Sequence, residues 1–146
     1  MIKNNIGNVL ELYISSKEAK RVNKEKIYFQ DGGIKEDKFF NKNKKREILL
    51  SSTYSYKLAL ENGISLEYGV LGENILIDYN TSNLIIGSKI QIGEAVFEIS
   101  MNCPICKQLS KVKPTLPKLL KDDRGIFIKV IKEGYITKND KVYLLK

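Results

Sequence analysis

The sequence predicts a mainly β fold with a few short helices, and three observations lead to this prediction. Apolar runs of strand length follow one another closely, turn residues such as glycine and asparagine separate them, and helical periodicity is confined to two stretches. Closely spaced short strands are typical of a sandwich or a barrel. Because helices do not alternate with strands, the pattern argues against a doubly wound parallel sheet. The 146 residues have the length of one domain, 1–146.

The first half of the chain contains four predicted elements. Strands are expected at 8–14, 26–29 and 46–50, and the second of these ends at the strong turn Asp31-Gly32-Gly33. A helix is expected to follow directly after the third strand. It runs from the capping segment Ser51-Ser52-Thr53 to about Asn62, where Asn62-Gly63 is a good stop.

The second half is predicted to be richer in strands. Strands are expected near 74–78, 84–86, 89–92, 95–100, 125–131 and 142–145. A helical stretch between 105 and 120 is interrupted by Pro114 and Pro117, because proline breaks the interior of a helix. Residues 134–140 are expected to form a short connection before the last strand.

The net charge of +8 is concentrated in the C-terminal third. Residues 1–99 carry 14 basic and 13 acidic side chains, a balance of +1, whereas residues 100–146 carry 11 and 4, a balance of +7. Such a field favours an anionic ligand or partner, and a solvated lysine-rich surface is the alternative reading. Only three of the basic residues are arginine, so the sequence does not favour sequence-specific DNA binding.

The sequence contains no histidine, which removes Ser-His-Asp and Cys-His nucleophiles and histidine-based zinc or iron sites. The apolar runs are too short to span a membrane, and the N-terminus lacks the apolar core of a signal peptide. We therefore expect a cytoplasmic protein without a membrane partner. Two cysteines do not make a disulfide framework, so both are expected to be thiols.

The sharpest local feature is Cys103-Pro104-Ile105-Cys106, which follows a predicted strand. Two thiols at this spacing can cycle between dithiol and disulfide, supply half of a four-thiolate zinc site, or leave one thiolate as nucleophile, sulfur carrier or metal ligand. Zinc would need two further ligands from a dimer, and a redox role expects a strand–helix alternation that is missing. Burial as two small apolar side chains is the reading without chemistry. The sequence favours a single functional thiolate.

Two further segments stand out. Gly69-Val70-Leu71-Gly72-Glu73-Asn74 contains two glycines that permit a tight turn with unusual backbone angles. Asp123-Arg124-Gly125 precedes an apolar strand, and an arginine there can clamp an anionic group with its fork. Taken alone, the first segment reads as a turn and the second as a surface arginine.

In their order along the chain, these segments resemble the MOSC domain family, which is named after the C-terminal domain of molybdenum cofactor sulfurase. The resemblance covers almost the whole chain, and its best match is the Gly-x-x-Gly-Glu-Asn segment. The matching segments are Gly33 with Asp37, 46–50, 69–75, 87–93, 97–100 leading to Cys106, 124–130 and 139–142.

The resemblance implies a closed β-barrel of the MOSC type. It also implies binding of the molybdenum cofactor (molybdopterin) or transport of sulfur, with a cysteine desulfurase or other sulfur donor as partner. Cys106 matches the family cysteine that accepts sulfur or binds the metal, and Cys103 is a second thiol beside it. The implied cofactor contacts are Arg46, Asn74, Lys107 and Arg124.

Two alternatives stay open at the level of sequence. The first is a molybdenum-dependent reductase of N-hydroxylated bases, which would need an electron-transfer protein as partner. The second is a non-catalytic module whose basic face binds a polyanion or an acidic partner.

Overall fold

The computed structural model of the protein describes residues 2–18, 20–103, 109–121 and 123–146. These residues form ten strands, three short helices and one 3-10 turn. The strands are β1 (Lys3–Ser15), β2 (Arg21–Lys24), β3 (Lys26–Phe29), β4 (Ile48–Ser52), β5 (Ile75–Ile77), β6 (Lys89–Ile92), β7 (Ala95–Asn102), β8 (Ile126–Lys132), β9 (Gly134–Thr137) and β10 (Lys141–Leu145). The helices are α1 (Thr53–Glu61), α2 (Leu109–Val112) and α3 (Leu116–Leu119), and the 3-10 turn is Thr81–Asn83.

Seven of the strands close into a barrel. Their order is β1-β10-β6-β7-β8-β4-β5, and β5 pairs again with β1. Closure removes free strand edges from the wall, and the interior is filled by apolar side chains such as Phe97, Ile90 and Leu12. β2 extends the sheet beyond β1, while β3 and β9 form a separate two-stranded sheet. The predicted closed, mainly β barrel is therefore confirmed.

One crossover interrupts the antiparallel pattern. β4 and β5 are parallel neighbours, and α1 connects them. The helix packs on the outside of the barrel wall, where Tyr56 and Ala59 join Leu71, Leu76 and Leu116 in a second apolar cluster. The crossover also carries the Gly-x-x-Gly-Glu-Asn segment, which is thereby held against the outer wall just before β5.

The predicted strand at 84–86 is wrong. Ile85 and Ile86 belong to a turn, and their side chains are 76% and 57% exposed, although their apolar character suggested a buried strand. Two strands were not predicted. β2 is mostly polar and mostly exposed, and β9 occupies part of the segment expected to be a connection, where it pairs with β3.

The predicted helical stretch is present in part as α2 and α3. Pro114 lies between them, as expected, but Pro117 lies in the first turn of α3 rather than interrupting it. Proline is tolerated there because the first N–H groups of a helix have no partner within the helix. The part of this prediction at 105–108 lies outside the described residues. No helix in the described part of the chain is long and apolar enough to cross a membrane.

Candidate functional site

The loop at 69–74 is held to the start of β8 by an arginine. Both Gly69 and Gly72 have positive φ angles, +94° and +90°, which favour glycine. The Arg124 guanidinium donates from Nε and Nη2 to the carbonyl oxygen of Leu71, at 3.2 and 2.8 Å. It also lies so close to Gly72 that a Cβ atom there would be 3.3 Å from Nη2. Arg124 and the loop therefore form one packed unit.

A second arginine, Arg21 of β2, bonds two other carbonyls of the same loop. Its guanidinium donates to the carbonyl oxygen of Gly69 at 3.2 Å, to that of Glu73, and to Ser15 Oγ at 2.8 Å. It also lies over the ring of Tyr13, 5.3 Å from the ring centroid. Burial is the main cause that lowers the pKa of Arg21, and the nearby Glu73 carboxyl opposes this shift.

The carboxyl group of Glu73 is enclosed beneath the loop. Its Oε2 accepts hydrogen bonds from Tyr56 Oη at 2.5 Å and from the Gly69 amide at 3.2 Å. Its Oε1 has no hydrogen-bond partner among the described residues. Burial raises the pKa of Glu73, and although Tyr56 and Arg21 act in the opposite direction, burial is the largest cause. The pKa of Tyr56 is raised as well, first by burial and then by the Glu73 charge. Burial therefore shifts the Glu73 carboxyl toward its protonated form.

Asn74, a predicted cofactor contact, lies in the barrel wall with 7% of its surface exposed. Its Oδ1 accepts a hydrogen bond from the Leu49 amide at 3.0 Å. Its Nδ2 donates to the carbonyl oxygen of Tyr13 and to Asp37 Oδ2, both at 3.1 Å. The side chain thus joins β4, β1 and the segment before β4, and both of its N–H donors are used within the fold.

Cys103 lies directly after β7 and is 6% exposed. Its amide donates to the carbonyl oxygen of Gly125 at 3.0 Å. Gly125 has φ of +148°, and a Cβ atom there would be 2.5 Å from Ser51 Oγ. Ser51 Oγ in turn donates to the carbonyl oxygen of Arg124 at 2.8 Å. We call these residues, Ser51, Cys103, Arg124 and Gly125, the cysteine end of the barrel.

Arg46, another predicted contact, lies two residues before β4. The side chain is exposed, and its guanidinium carbon is 5.8 Å from the centroid of the Phe127 ring. Phe127 pairs with Met101, two residues before Cys103. The structure therefore places Cys103 and Arg124 together at the cysteine end and Arg46 beside Phe127 on β8, whereas Asn74 is held within the wall. Cys106 and Lys107 lie outside the described residues.

A cleft of about 500 Å³ lies next to the loop at 69–74. Gly69 and Val70 of the loop line it together with Arg21 and with Val112 of α2. α2 begins shortly after the cysteine segment, so the cleft is bordered by the loop and by the helix that follows the two cysteines. Its volume is in the range of small-molecule sites.

The sequence did not reveal the roles of Arg21, Tyr56 and Glu73. Glu73 is part of the Gly-x-x-Gly-Glu-Asn segment, so its position was visible, but burial and its bond to Tyr56 were not. Arg21 stands in a polar stretch without any periodic pattern, and no sequence signal pointed to it.

The model of the MOSC domain family matches residues 35–143. The chain therefore belongs to the MOSC domain family. Among solved structures, it is similar to YuaD from Bacillus subtilis, with 19% identity and a TM-score of 0.78 over 99% of this chain and 100% of that one. It is also similar to YiiM from Escherichia coli, with 18% identity and a TM-score of 0.71 over 95% and 70% of the two chains. At this identity the likeness shows a shared fold. No curated protein matches the chain in sequence.

Proposed function

We propose that the protein binds the molybdenum cofactor through the thiolate of Cys106, and that the same thiolate accepts sulfur destined for the cofactor. The observation that carries the proposal is the meeting of three separate segments at the cysteine end. The end of β7 brings Cys103 there, the start of β8 brings Arg124, and Arg124 joins the loop at 69–74 through Leu71. Membership of the MOSC family supplies the class of ligand.

The residues at the cysteine end fit this ligand. The pterin of the cofactor brings its own sulfur ligands to the metal, so the protein needs to add one thiolate, and the phosphate needs cations. Arg124 lies at this end, Arg46 lies beside Phe127 on β8, and the segment from α2 to β8 adds exposed lysines. These lysines are Lys111, Lys113, Lys118 and Lys121.

The proposal assigns separate tasks to the residues. Cys106 is the reacting thiolate, because Cys103 is buried beside Gly125 and presents little of its surface. Arg46 and Lys107 hold the anionic groups of the cofactor, and Arg124, whose Nε and Nη2 also bond the loop, adds its positive charge at the cysteine end. Asn74 supports the loop, since its donors are used inside the fold. When bound, the cofactor supplies a molybdenum centre that can accept or give up a pair of electrons.

Sulfur acceptance can be tested with inorganic polysulfide, which needs no partner protein. The protein is exposed to polysulfide, its thiols are blocked by alkylation, and mass spectrometry locates the added sulfur atom. We expect the added sulfur on Cys106 in the wild type and none in Cys106→Ala, because the acceptor thiolate is then missing.

Cys103→Ala is the matched control, since it removes the other thiol and leaves Cys106 in place. We expect it to keep the added sulfur for longer than the wild type, because a neighbouring thiol can release a persulfide by forming a disulfide. Sulfur loading that survives in Cys106→Ala and disappears in Cys103→Ala would identify Cys103 as the acceptor and overturn the proposal.

A further inference from the structure

Ile85 and Ile86 expose apolar side chains that do not contribute to closing the turn in which they lie. The turn is closed by Ser88, whose amide and hydroxyl donate to the carbonyl oxygen of Ile85 at 3.0 and 2.5 Å, and Gly87 has φ of +92°. Turn positions normally carry glycine, proline, asparagine, aspartate or serine. The two isoleucines are 76% and 57% exposed, and an exposed apolar group of this kind is typical of a contact surface.

The turn flanks the strand that leads to the cysteine end. The Gly87 amide donates to the carbonyl oxygen of Ile99 at 2.9 Å, and the Ile99 amide donates to that of Ser88 at 2.9 Å. Cys103 is four residues beyond Ile99, about 13 Å along an extended strand at ~3.3 Å per residue. A protein that covers the isoleucines is therefore within reach of the cysteine segment.

Three lysines lie on the strand ends that neighbour the turn. Lys89 lies opposite Leu145 of β10, and Leu145 lies opposite Lys3 of β1. One step further, Ile2 and Lys146 exchange backbone hydrogen bonds at 3.3 and 3.0 Å, and Ile2 is 67% exposed. All three lysines are exposed. We call this surface the isoleucine rim; it consists of Ile2, Ile85, Ile86, Lys3, Lys89 and Lys146.

We propose that the isoleucine rim is the docking surface for an acidic protein that carries a persulfide and delivers its sulfur to Cys106. The inference rests on the proposed function. Exposed apolar side chains with cations beside them are complementary to an acidic partner with an apolar pocket. Glu98, which lies opposite Lys89, is only half-exposed and offsets one of the three lysines.

A protein partner is favoured because persulfide transfer needs direct contact between the two sulfur-bearing side chains. The Cys106 thiolate attacks the terminal sulfur of the donor persulfide, a new S–S bond forms on Cys106, and the S–S bond of the donor breaks. The donor leaves as a thiolate, the proton of the persulfide stays with the transferred sulfur, and no outside oxidant or reductant is needed. A rim of three isoleucines is small, as is typical of a transient interface.

The test uses a purified, acidic cysteine desulfurase loaded with cysteine as the sulfur donor. The transfer rate to the wild type is compared with the rate to the double variant Ile85→Ser/Ile86→Ser. We expect the double variant to be slower by about tenfold, because the apolar centre of an interface carries most of its affinity. Ile131→Ser is the matched control, since Ile131 is 47% exposed on β8 outside the rim, and its rate should stay within about twofold of the wild type.

Inorganic polysulfide separates failure of docking from failure of the proposed function. We expect it to load Cys106 equally in the wild type and both variants. Equal desulfurase rates in the wild type and the double variant would overturn the docking surface alone. If the wild type accepts sulfur from polysulfide but not from the desulfurase, the desulfurase is not its partner and the docking proposal is overturned. No loading from polysulfide in any protein would overturn the proposed function and this inference with it.

A lipid surface is the competing occupant of the rim, and vesicles of phosphatidylserine in phosphatidylcholine provide the probe. We expect the wild type and the double variant to bind these vesicles to the same extent. Vesicle binding that is lost in the double variant, with an unchanged desulfurase rate, would assign the rim to lipid and overturn the protein partner.

Discussion

Replacing Asn74 by alanine should destabilise the fold strongly, because this side chain joins three segments of the barrel wall. The change removes the bonds to the Leu49 amide, the Tyr13 carbonyl and Asp37 Oδ2, at 3.0, 3.1 and 3.1 Å. At ~1 kcal/mol for each bond, the expected loss is about 3 kcal/mol, since the buried Leu49 amide is also left without an acceptor. For a chain of this length that corresponds to a fall of about 10 °C in Tm.

Differential scanning calorimetry measures this loss directly, and Asn83→Ala is the matched control. Asn83 is exposed at the end of the 3-10 turn, so its replacement should change the free energy of unfolding by less than ~0.5 kcal/mol. Equal Tm values for the two variants would refute the assigned role of Asn74. An Asn74→Ala protein of normal stability that has lost cofactor binding would instead support the direct contact predicted from the sequence.

Three further outcomes follow from the loop. Gly72→Ala should lose more free energy of unfolding than Gly87→Ala, because both have positive φ and only the Cβ at Gly72 meets Arg124; equal losses in chemical denaturation would contradict this. Burial raises the pKa of Glu73, so the contribution of Glu73 to the free energy of unfolding is fully present below the ordinary glutamate pKa and is lost as pH rises through the raised one. The free energy of unfolding of Glu73→Gln should therefore rise relative to that of the wild type as pH rises. Parallel curves of unfolding free energy against pH for the two proteins would argue against this. Arg124→Lys keeps the charge but loses the paired bonds to the loop, so it should cost about 1–2 kcal/mol of the free energy of unfolding; an unchanged value in chemical denaturation would contradict the assigned role of these bonds.

The strands of the barrel were predictable because alternating burial leaves a pattern in the sequence. β6, for example, begins and ends as predicted, and its residues alternate between exposed and buried. β2 was missed because three of its four residues are polar and the single apolar residue, Val22, makes no pattern. The opposite error occurred at Ile85 and Ile86, since hydropathy does not distinguish a buried strand from an exposed apolar turn.

The candidate site was predictable only as far as its segments are local. Cys103 and Arg124 were singled out from short segments, and the structure brings both to the cysteine end. Arg21 is 48 residues from Gly69, and contacts at such separations depend on how β2 pairs with β1. The role of Glu73 depends on its burial beneath the loop, which its place in the sequence does not reveal.

Molybdenum content tests the central claim most directly. The wild type and Cys106→Ala are purified from a host that makes the cofactor, and metal and pterin are measured in both. We expect molybdenum and pterin in nearly equal amounts in the wild type and neither in Cys106→Ala, because the thiolate ligand is missing. The same molybdenum content in the two proteins, or none in the wild type, would contradict cofactor binding through Cys106.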